Sequence, residues 1–228
     1  MKEKTKKPEH RASLWKSAHR GDVIFAFVLR ALFILSAVIS LYYRNIELTA
    51  VAAVSLFLTF IPVLLEKSIK VSLPVSFQVV LLIFIFAAQF LGEIFNYYER
   101  YWWWDILLHS WSGVLLGTIG FLLVYILNNA SGVDVILSPF FIGFFALCFA
   151  VTCGVVWEIF EFSMDVVFGT NMQKSGLVDT MWDLVVDTGG ALIVSVNGWL
   201  TMRARKDSPV TRAVSLFMRQ NPDLRDKL

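Results

Sequence analysis

The sequence predicts an all-α, polytopic membrane helix bundle of about six transmembrane helices with both termini in the cytoplasm. Of the 228 residues, 57% are hydrophobic and only 17% are charged, and the mean hydropathy is +0.66. An ordinary soluble domain is less apolar and more highly charged than this. Seven of the 20 Lys and Arg residues lie in residues 1–22 and seven in residues 201–228. Segments rich in Lys and Arg stay on the cytoplasmic side of a membrane, so both ends are placed there.

Six stretches are long and apolar enough to cross ~30 Å of hydrocarbon, which takes roughly 20 residues of α-helix. They form one predicted transmembrane domain, residues 23–200, between a basic N-terminal segment, residues 1–22, and a basic tail, residues 201–228. An even number of spans returns the chain to its starting side, in agreement with two basic ends. The predicted spans are residues 23–42, 48–65, 75–95, 106–127, 139–162 and 182–200.

The segments around these spans fit the same orientation. The connection after the second span carries Lys67 and Lys70, whereas the three outer connections carry only Arg44, Arg100 and Lys174. The stretch NYYERYWWW, residues 96–104, is typical of an aromatic belt at the membrane surface. Arg30, inside the first span, is expected to extend its side chain towards the cytoplasmic headgroups. Residues 208–220 predict a short amphipathic helix lying on the cytoplasmic surface of the membrane.

Acidic residues accumulate near the predicted outer ends of the spans. In DTMWDLVVDTGG, residues 179–190, three aspartates stand four residues apart, which places them on one face of a helix. Three further helices add acids at similar predicted depths, and one of these helices also adds an imidazole. The residues concerned are Glu93; Asp105 and His109; Glu158, Glu161 and Asp165; Asp179, Asp183 and Asp187.

So many acids cannot all stay charged in apolar surroundings without compensation, since one ionised carboxylate there costs at least ~2.5 kcal/mol. Few bases are available on that side, so bound protons, a metal cation or water must offset the charge. Oxygen ligands with one imidazole suit Mg²⁺, Mn²⁺, Ca²⁺ or Zn²⁺, and Asp105 and His109 form an i, i+4 chelating pair. We predict a divalent metal ion held by Asp105, His109, Glu158 and Asp183.

Simpler interpretations apply to several of these residues. Asp105 and Asp179 stand where helix N-caps are expected, and His109 could hydrogen-bond across a helix interface. Small residues in GVLLG, at Gly113 and Gly117, and in the pair Gly189 and Gly190 are expected to let helices pack closely. Asp183, Asp187, Glu158 and Glu161 lie too deep to be caps.

Four sequence signatures resemble those of the YjdF-like family of uncharacterised integral membrane proteins. They are DILLHSWSG (105–113), WEIFEF (157–162), GTNMQKSGLVDT (169–180) and DLVVDTGGA (183–191). Their order also resembles, more distantly, the VanZ-like family, which is associated with glycopeptide resistance and the cell envelope. The chain departs from that pattern at Ile106, Glu161 and Asp187, where lysine, glutamine and asparagine are usual. Neither resemblance implies a reaction.

Three functions remain open from the sequence. The first is a metal-dependent enzyme acting on a lipid or envelope precursor, with Glu161 or Asp187 left as a general base. The second is a non-catalytic binding or scaffold protein of the envelope. The third is an ion- or proton-coupled transporter, which the lack of an inverted repeat disfavours. We expect a multi-pass protein of the plasma (inner) membrane, with membrane lipids as partners, a lipid or envelope substrate and no nucleic acid.

The topology can be tested directly, because every asymmetry of charge between the short loops points the same way. Reporter fusions at Ser131 and Asn171 should report opposite sides of the membrane, with Asn171 outside. The same side for both fusions would show that the number of spans is wrong.

Overall fold

The computed structural model describes residues 9–69, 72–128, 137–204 and 206–221 of the chain. Within these ranges the regular structure is helical. Lys70 and parts of the two predicted basic segments, residues 1–8 and 222–228, lie outside the described residues. The helices are α1 Glu9–Tyr42, α2 Ile46–Leu58, α3 Ile61–Ile69, α4 Val75–Ile85 with its π-helical continuation Phe86–Ile94, α5 Tyr97–Arg100, α6 Trp103–Asn128, α7 Pro139–Phe168, α8 Leu177–Ala204 and α9 Pro209–Gln220.

The predicted helical fold is confirmed, since the described residues contain six helical segments long and apolar enough to span a membrane. The cytoplasmic placement of the termini stays a prediction. Large apolar side chains such as Phe144, Val156 and Ile193 are exposed on these helices, as expected of a surface that faces lipid. The segments are Ile24–Tyr42, Ile46–Ser68, Ser76–Ile94, Trp103–Val124, Pro139–Phe168 and Leu177–Ala204. The chain divides into two compact units, Met1–Tyr97 and Tyr98–Leu228, each of which is described by itself below.

In the N-terminal unit, the second span is interrupted, whereas the sequence predicts one continuous helix. Helix α2 ends at Leu58 and α3 begins at Ile61, one residue before Pro62. Proline has no N–H to donate, and its ring collides with the carbonyl four residues earlier, so a helix breaks just before it. The interruption leaves polar backbone atoms of Thr59 at the end of α2.

Arg30 binds at this interruption, while its expected extension towards the cytoplasmic headgroups stays a prediction. Its Nε donates to Thr59 Oγ1 at 3.1 Å and its second nitrogen donates to the Thr59 carbonyl at 3.0 Å. The guanidinium also lies over the Phe60 ring, 4.0 Å from the centroid. A cation that binds the last carbonyls of a helix satisfies them and interacts favourably with the helix dipole. Arg30 therefore caps α2.

The third span changes from α-helical to π-helical geometry at Phe86. A π-helical turn contains about one residue more than an α-helical turn and is rare. Within it, the side-chain amide oxygen of Gln89 accepts a hydrogen bond from the buried Ser55 hydroxyl at 3.2 Å. The hydropathy pattern gives the span but not this change of helical geometry.

In the C-terminal unit, α6, α7 and α8 pack side by side, and α9 packs against α6 and α8. The apolar core of this unit contains Phe121, Ile142, Ala146 and Val194 together with Val210 and Val214 of α9. Helix α9 begins with a capping box in which Ser208 and Thr211 bind each other's backbone N–H groups. The amphipathic helix is present, and its apolar face packs on the protein core, while its position on the cytoplasmic membrane surface stays a prediction.

Replacing Arg30 tests its capping role. We expect Arg30→Met to lower the free energy of unfolding by ~1.5–3 kcal/mol, because a charged hydrogen bond to a buried carbonyl is lost. Thermal or denaturant unfolding in detergent measures the change. The exposed Lys67, in the last turn of α3, is the control, and Lys67→Met should change stability much less. Equal effects of the two substitutions would contradict the capping role.

Candidate functional site

The predicted site residues of the C-terminal unit lie at one end of its three long helices. This end, called the site end below, is where α6 begins, α7 ends and α8 begins. A short loop joins α7 to α8 there, and it is bounded by Gly169 and Gly176 with φ of 68° and 65°. These backbone angles are strained for residues other than glycine.

Glycines bring α6 and α8 into backbone contact beside the site. A Cβ atom at Gly113 of α6 would overlap the Asp187 carbonyl of α8, and one at Gly190 would overlap the Ser110 carbonyl of α6. Gly117 also lies directly against α8. Small residues permit such an approach between helices in a membrane. The acidic face of α8 is therefore held against the start of α6.

His109 of α6 lies among three aspartates. Its Nδ1 is 3.2 Å from Asp187 Oδ2, while its Nε2 is 3.7 Å from Asp105 Oδ1 and 3.9 Å from Asp183 Oδ2. Because a carboxylate accepts hydrogen bonds, the Nδ1 contact assigns the proton of the neutral ring to Nδ1. In that neutral form the lone pair on Nε2 faces the other two carboxylates, whereas in the protonated form an N–H group faces them. The second oxygen of Asp187 accepts a short hydrogen bond from the Ser112 hydroxyl.

Asp105, in the first turn of α6, connects the site to the α7–α8 loop. Its Oδ2 accepts a hydrogen bond from Lys174 Nζ at 3.0 Å, and Lys174 also lies over the Tyr98 ring. One ligand atom from each of Asp105, His109 and Asp183 lies within 4.8 Å of the others. Two atoms bound to one ion at about 2.0–2.2 Å are at most about 4.4 Å apart, so small side-chain movements would let these three bind a cation.

Helix α7 presents a buried, unpaired carboxylate to this region. The α7 backbone lies close to Asp187 at Gly154, where an added Cβ would be 2.9 Å from Asp187 Oδ2. Glu158, one helical turn further along, is only 4% exposed, and neither of its carboxylate oxygens has a hydrogen-bond partner. It interacts electrostatically with His109, and the Thr180 side chain lies near it without forming a hydrogen bond to either oxygen. Buried polar groups are normally paired, but no described residue forms a hydrogen bond with this carboxylate.

Glu161 lies one turn closer to the end of α7 and is also buried. One of its oxygens accepts a hydrogen bond from Trp157 Nε1 at 2.9 Å. The Trp157 ring is exposed and lies beside the ring of Phe160, with 5.3 Å between centroids. Glu161 is thus partly satisfied from the outward face of α7, whereas Glu158 is not.

Asp165 organises the loop between α7 and α8. Its carboxylate accepts hydrogen bonds from the Thr170 hydroxyl at 2.6 Å and from the backbone N–H groups of Met172 at 2.8 Å and Gln173 at 2.9 Å. The Gln173 side chain in turn donates to Thr180 of α8 at 2.6 Å. These contacts fix the position of the loop's lysine.

The structure thus brings together three of the four predicted metal ligands, Asp105, His109 and Asp183, while Glu158 lies outside that group of three. Asp105 and Asp179 lie within the first turns of their helices and not at the cap positions. Close packing is confirmed at Gly113, Gly117 and Gly190, but it is wrong for Gly189, which has no neighbouring atom within 4 Å of an added Cβ.

Sequence analysis missed the roles of Ser112, Trp157 and Asp165. Ser112 stands three residues after His109, a spacing that places both on one helix face. That spacing was a usable signal, since His109 itself is a site candidate. Trp157 and its partner Glu161 are four residues apart on one helix, so the sequence spacing also indicates this pair. The loop contacts of Asp165 depend on backbone conformation, which the spacing does not give.

The glycine contact between α6 and α8 can be tested by adding one methyl group. Gly113→Ala forces an overlap with the α8 backbone and should cost ~1–3 kcal/mol of stability. Gly189→Ala, in α8, is the control: an added Cβ there has no neighbouring atom within 4 Å, so this variant should be as stable as the parent or more stable by up to ~1 kcal/mol. Thermal unfolding of both variants in detergent gives the comparison. A Gly113→Ala protein as stable as the parent would refute the close approach.

Comparison with known proteins identifies the family of this chain. Residues 23–204, most of the described helices, match the family described as "Predicted membrane protein (DUF2238)". An uncharacterized protein of Thermotoga maritima is 29% identical over 136 residues, which cover 58% of this chain and 66% of that relative, just under two thirds of its length. No solved structure matches the chain significantly. The YjdF-like resemblance agrees with the family match, whereas the comparisons give no support to the VanZ-like one. The chain belongs to the DUF2238 family of predicted integral membrane proteins.

Proposed function

We propose that the C-terminal unit binds one divalent cation through Asp105, His109 and Asp183, and that this cation serves a metal-dependent enzyme acting on a lipid or envelope precursor. The observation that carries the proposal is the orientation of His109. One ring nitrogen is held by Asp187, and the opposite nitrogen faces two carboxylates. Histidines that bind metals commonly donate their other N–H to a carboxylate in this way, which fixes the ring and its tautomer.

A protonated imidazole would form ion pairs with these carboxylates, whereas a metal cation would bind the carboxylates and the imidazole directly. A second proton on Nε2 would need a hydrogen-bond acceptor, but the nearest carboxylate oxygens are 3.7 and 3.9 Å away. Those distances exceed a hydrogen bond and suit two ligands on opposite sides of one ion. The buried and unpaired Glu158 adds a further negative group that a cation would offset.

The donor set restricts the choice of metal. It combines one imidazole nitrogen with carboxylate oxygens. The imidazole favours Zn²⁺ over Mg²⁺ or Ca²⁺, whereas the carboxylates also suit Mn²⁺. With three protein ligands, positions remain for water or a substrate oxygen, which is the arrangement of catalytic and not of structural zinc sites.

The proposed role of Asp187 differs from the one that the sequence predicts. Asp187 has both oxygens occupied, by His109 and Ser112, so it is a positioning residue and not a free general base. Glu158 has no hydrogen bond at either oxygen, and Glu161 has one. Glu158 is therefore the best-placed group to take a proton from a water activated by the metal or to become its fourth ligand. Glu161 is the second candidate for the base.

The cation site is tested by metal analysis of variants in the aspartate column of α8. Asp183→Asn removes a charged ligand and should lower metal affinity at least ~100-fold, while Asp187→Asn disturbs the orientation of His109 and should lower it ~10–100-fold. Asp179→Asn, four residues earlier on the same face and outside the group of three, is the control and should bind metal normally. Metal content and thermal stability with and without chelator are the measurements.

Two results would refute the site. One is a parent protein whose metal content and stability do not respond to chelator, and the other is equal metal binding by all three variants. Glu158→Gln then separates the roles of Glu158: loss of metal marks a ligand, whereas retained metal with lost hydrolysis of a lipid ester marks the base. Metal that stabilises the bundle without any hydrolysis would support the binding or scaffold function instead.

A further inference from the structure

Lys174 places a cation directly beside the proposed metal ligands. Its Nζ is 3.0 Å from Asp105 Oδ2, while the other oxygen of the same carboxylate faces the Nε2 atom of His109. The lysine side chain is 26% exposed, whereas the imidazole and Asp183 are buried. Lys174 therefore lies between the interior of the site and the solvent at the site end.

The position of Lys174 is fixed by the structure around it. The loop that carries it is fastened to Asp165 by three hydrogen bonds and to Thr180 by a fourth. The ammonium group also lies 4.6 Å from the centroid of the Tyr98 ring, and this cation–π contact stabilises its positive charge. A lysine on an unrestrained surface loop would have no such supports.

A metal ion at the site changes what Lys174 can bind. In the ion-free arrangement Lys174 offsets the charge of Asp105. Once a divalent cation shares that carboxylate, its negative charge is largely offset by the metal, and the lysine retains N–H donors and an uncompensated positive charge. An oxyanion bound to the open positions of the metal would place a second oxygen within reach of Nζ. A phosphate fits this span, since its oxygens are about 2.5 Å apart and each accepts hydrogen bonds from ammonium groups.

We infer that Lys174 and the metal together form a binding site for a phosphate group, so that the ligand of the site is a phosphorylated molecule. This inference rests on the proposed metal site and narrows its substrate class from esters in general to phosphates. The same chemistry would recognise a lipid phosphate headgroup or a soluble phosphate. It also requires that the metal binds before the phosphate. Without the metal, Asp105 pairs with Lys174 and the acids of the site repel an anion.

The test uses the full-length protein in detergent, with Mn²⁺ as the metal and inorganic phosphate as the probe. Phosphorus NMR detects phosphate next to bound Mn²⁺ through paramagnetic line broadening, and calorimetry gives the affinities. Lys174→Gln removes the charge and Lys174→Arg retains it. Arg100→Gln, which removes the exposed cation of α5, is the control. Vesicles of phosphatidylcholine with and without phosphatidic acid distinguish a lipid phosphate from a soluble one.

We expect the parent to bind phosphate only when loaded with Mn²⁺. Lys174→Gln should weaken phosphate binding at least tenfold while retaining or increasing Mn²⁺ affinity, whereas Lys174→Arg and Arg100→Gln should stay within threefold of the parent. Competition by phosphatidic acid vesicles but not by phosphatidylcholine would assign the site to a lipid phosphate, and failure of both would assign it to a soluble one.

The inference is overturned if Mn²⁺ binds but Lys174→Gln leaves phosphate affinity unchanged, or if phosphate binds equally well with and without the metal. A Lys174→Gln protein that loses Mn²⁺ as well would show that the lysine only positions Asp105. If the parent binds no metal at all, the proposed function fails first and this inference falls with it.

Discussion

The backbone contact between α6 and α8 is the constraint on which the rest of the site depends. Gly113 and Gly190 let each helix touch the backbone of the other, and this sets the distance from His109 to Asp187 at 3.2 Å. If larger residues separated the helices by even one methyl group, the imidazole would lose its carboxylate partner. The chemistry of the site and the packing of the unit are therefore consequences of the same close approach.

Charge balance links this packing to the loop at the site end. The buried carboxylates of α7 and α8 are costly in apolar surroundings, and Lys174 is the only lysine or arginine that forms an ion pair among the described residues of the C-terminal unit. The loop that holds it is itself ordered by Asp165. Asp105 is thus paired with Lys174, whereas the buried Glu158 carboxylate has no hydrogen-bond partner among the described residues.

Much of the fold could be predicted because hydropathy over ~20 residues is a strong local signal, and the i, i+4 spacing of Asp105 and His109 is equally local. The interruption near Pro62 was readable from proline chemistry but was overlooked. Helix α9 was predicted from its periodicity, which cannot tell whether an apolar face covers lipid or the core around Phe121. Which acid of α7 remains unpaired also depends on three-dimensional contacts that no spacing encodes.

The arrangement around His109 bears on the proposed cation site. A cluster retained only to join helices would gain most from satisfied hydrogen bonds, because a half-satisfied buried network is less stable than an apolar core. Here Nε2 of His109 is too far from both facing carboxylates to bond to either, and Glu158 has no hydrogen-bond partner. The bonded atoms are those of Asp187, which contacts His109 and Ser112, and the Asp105 oxygen that contacts Lys174. In the proposed site these bonded groups hold the imidazole and the remaining carboxylate oxygens in position for a cation.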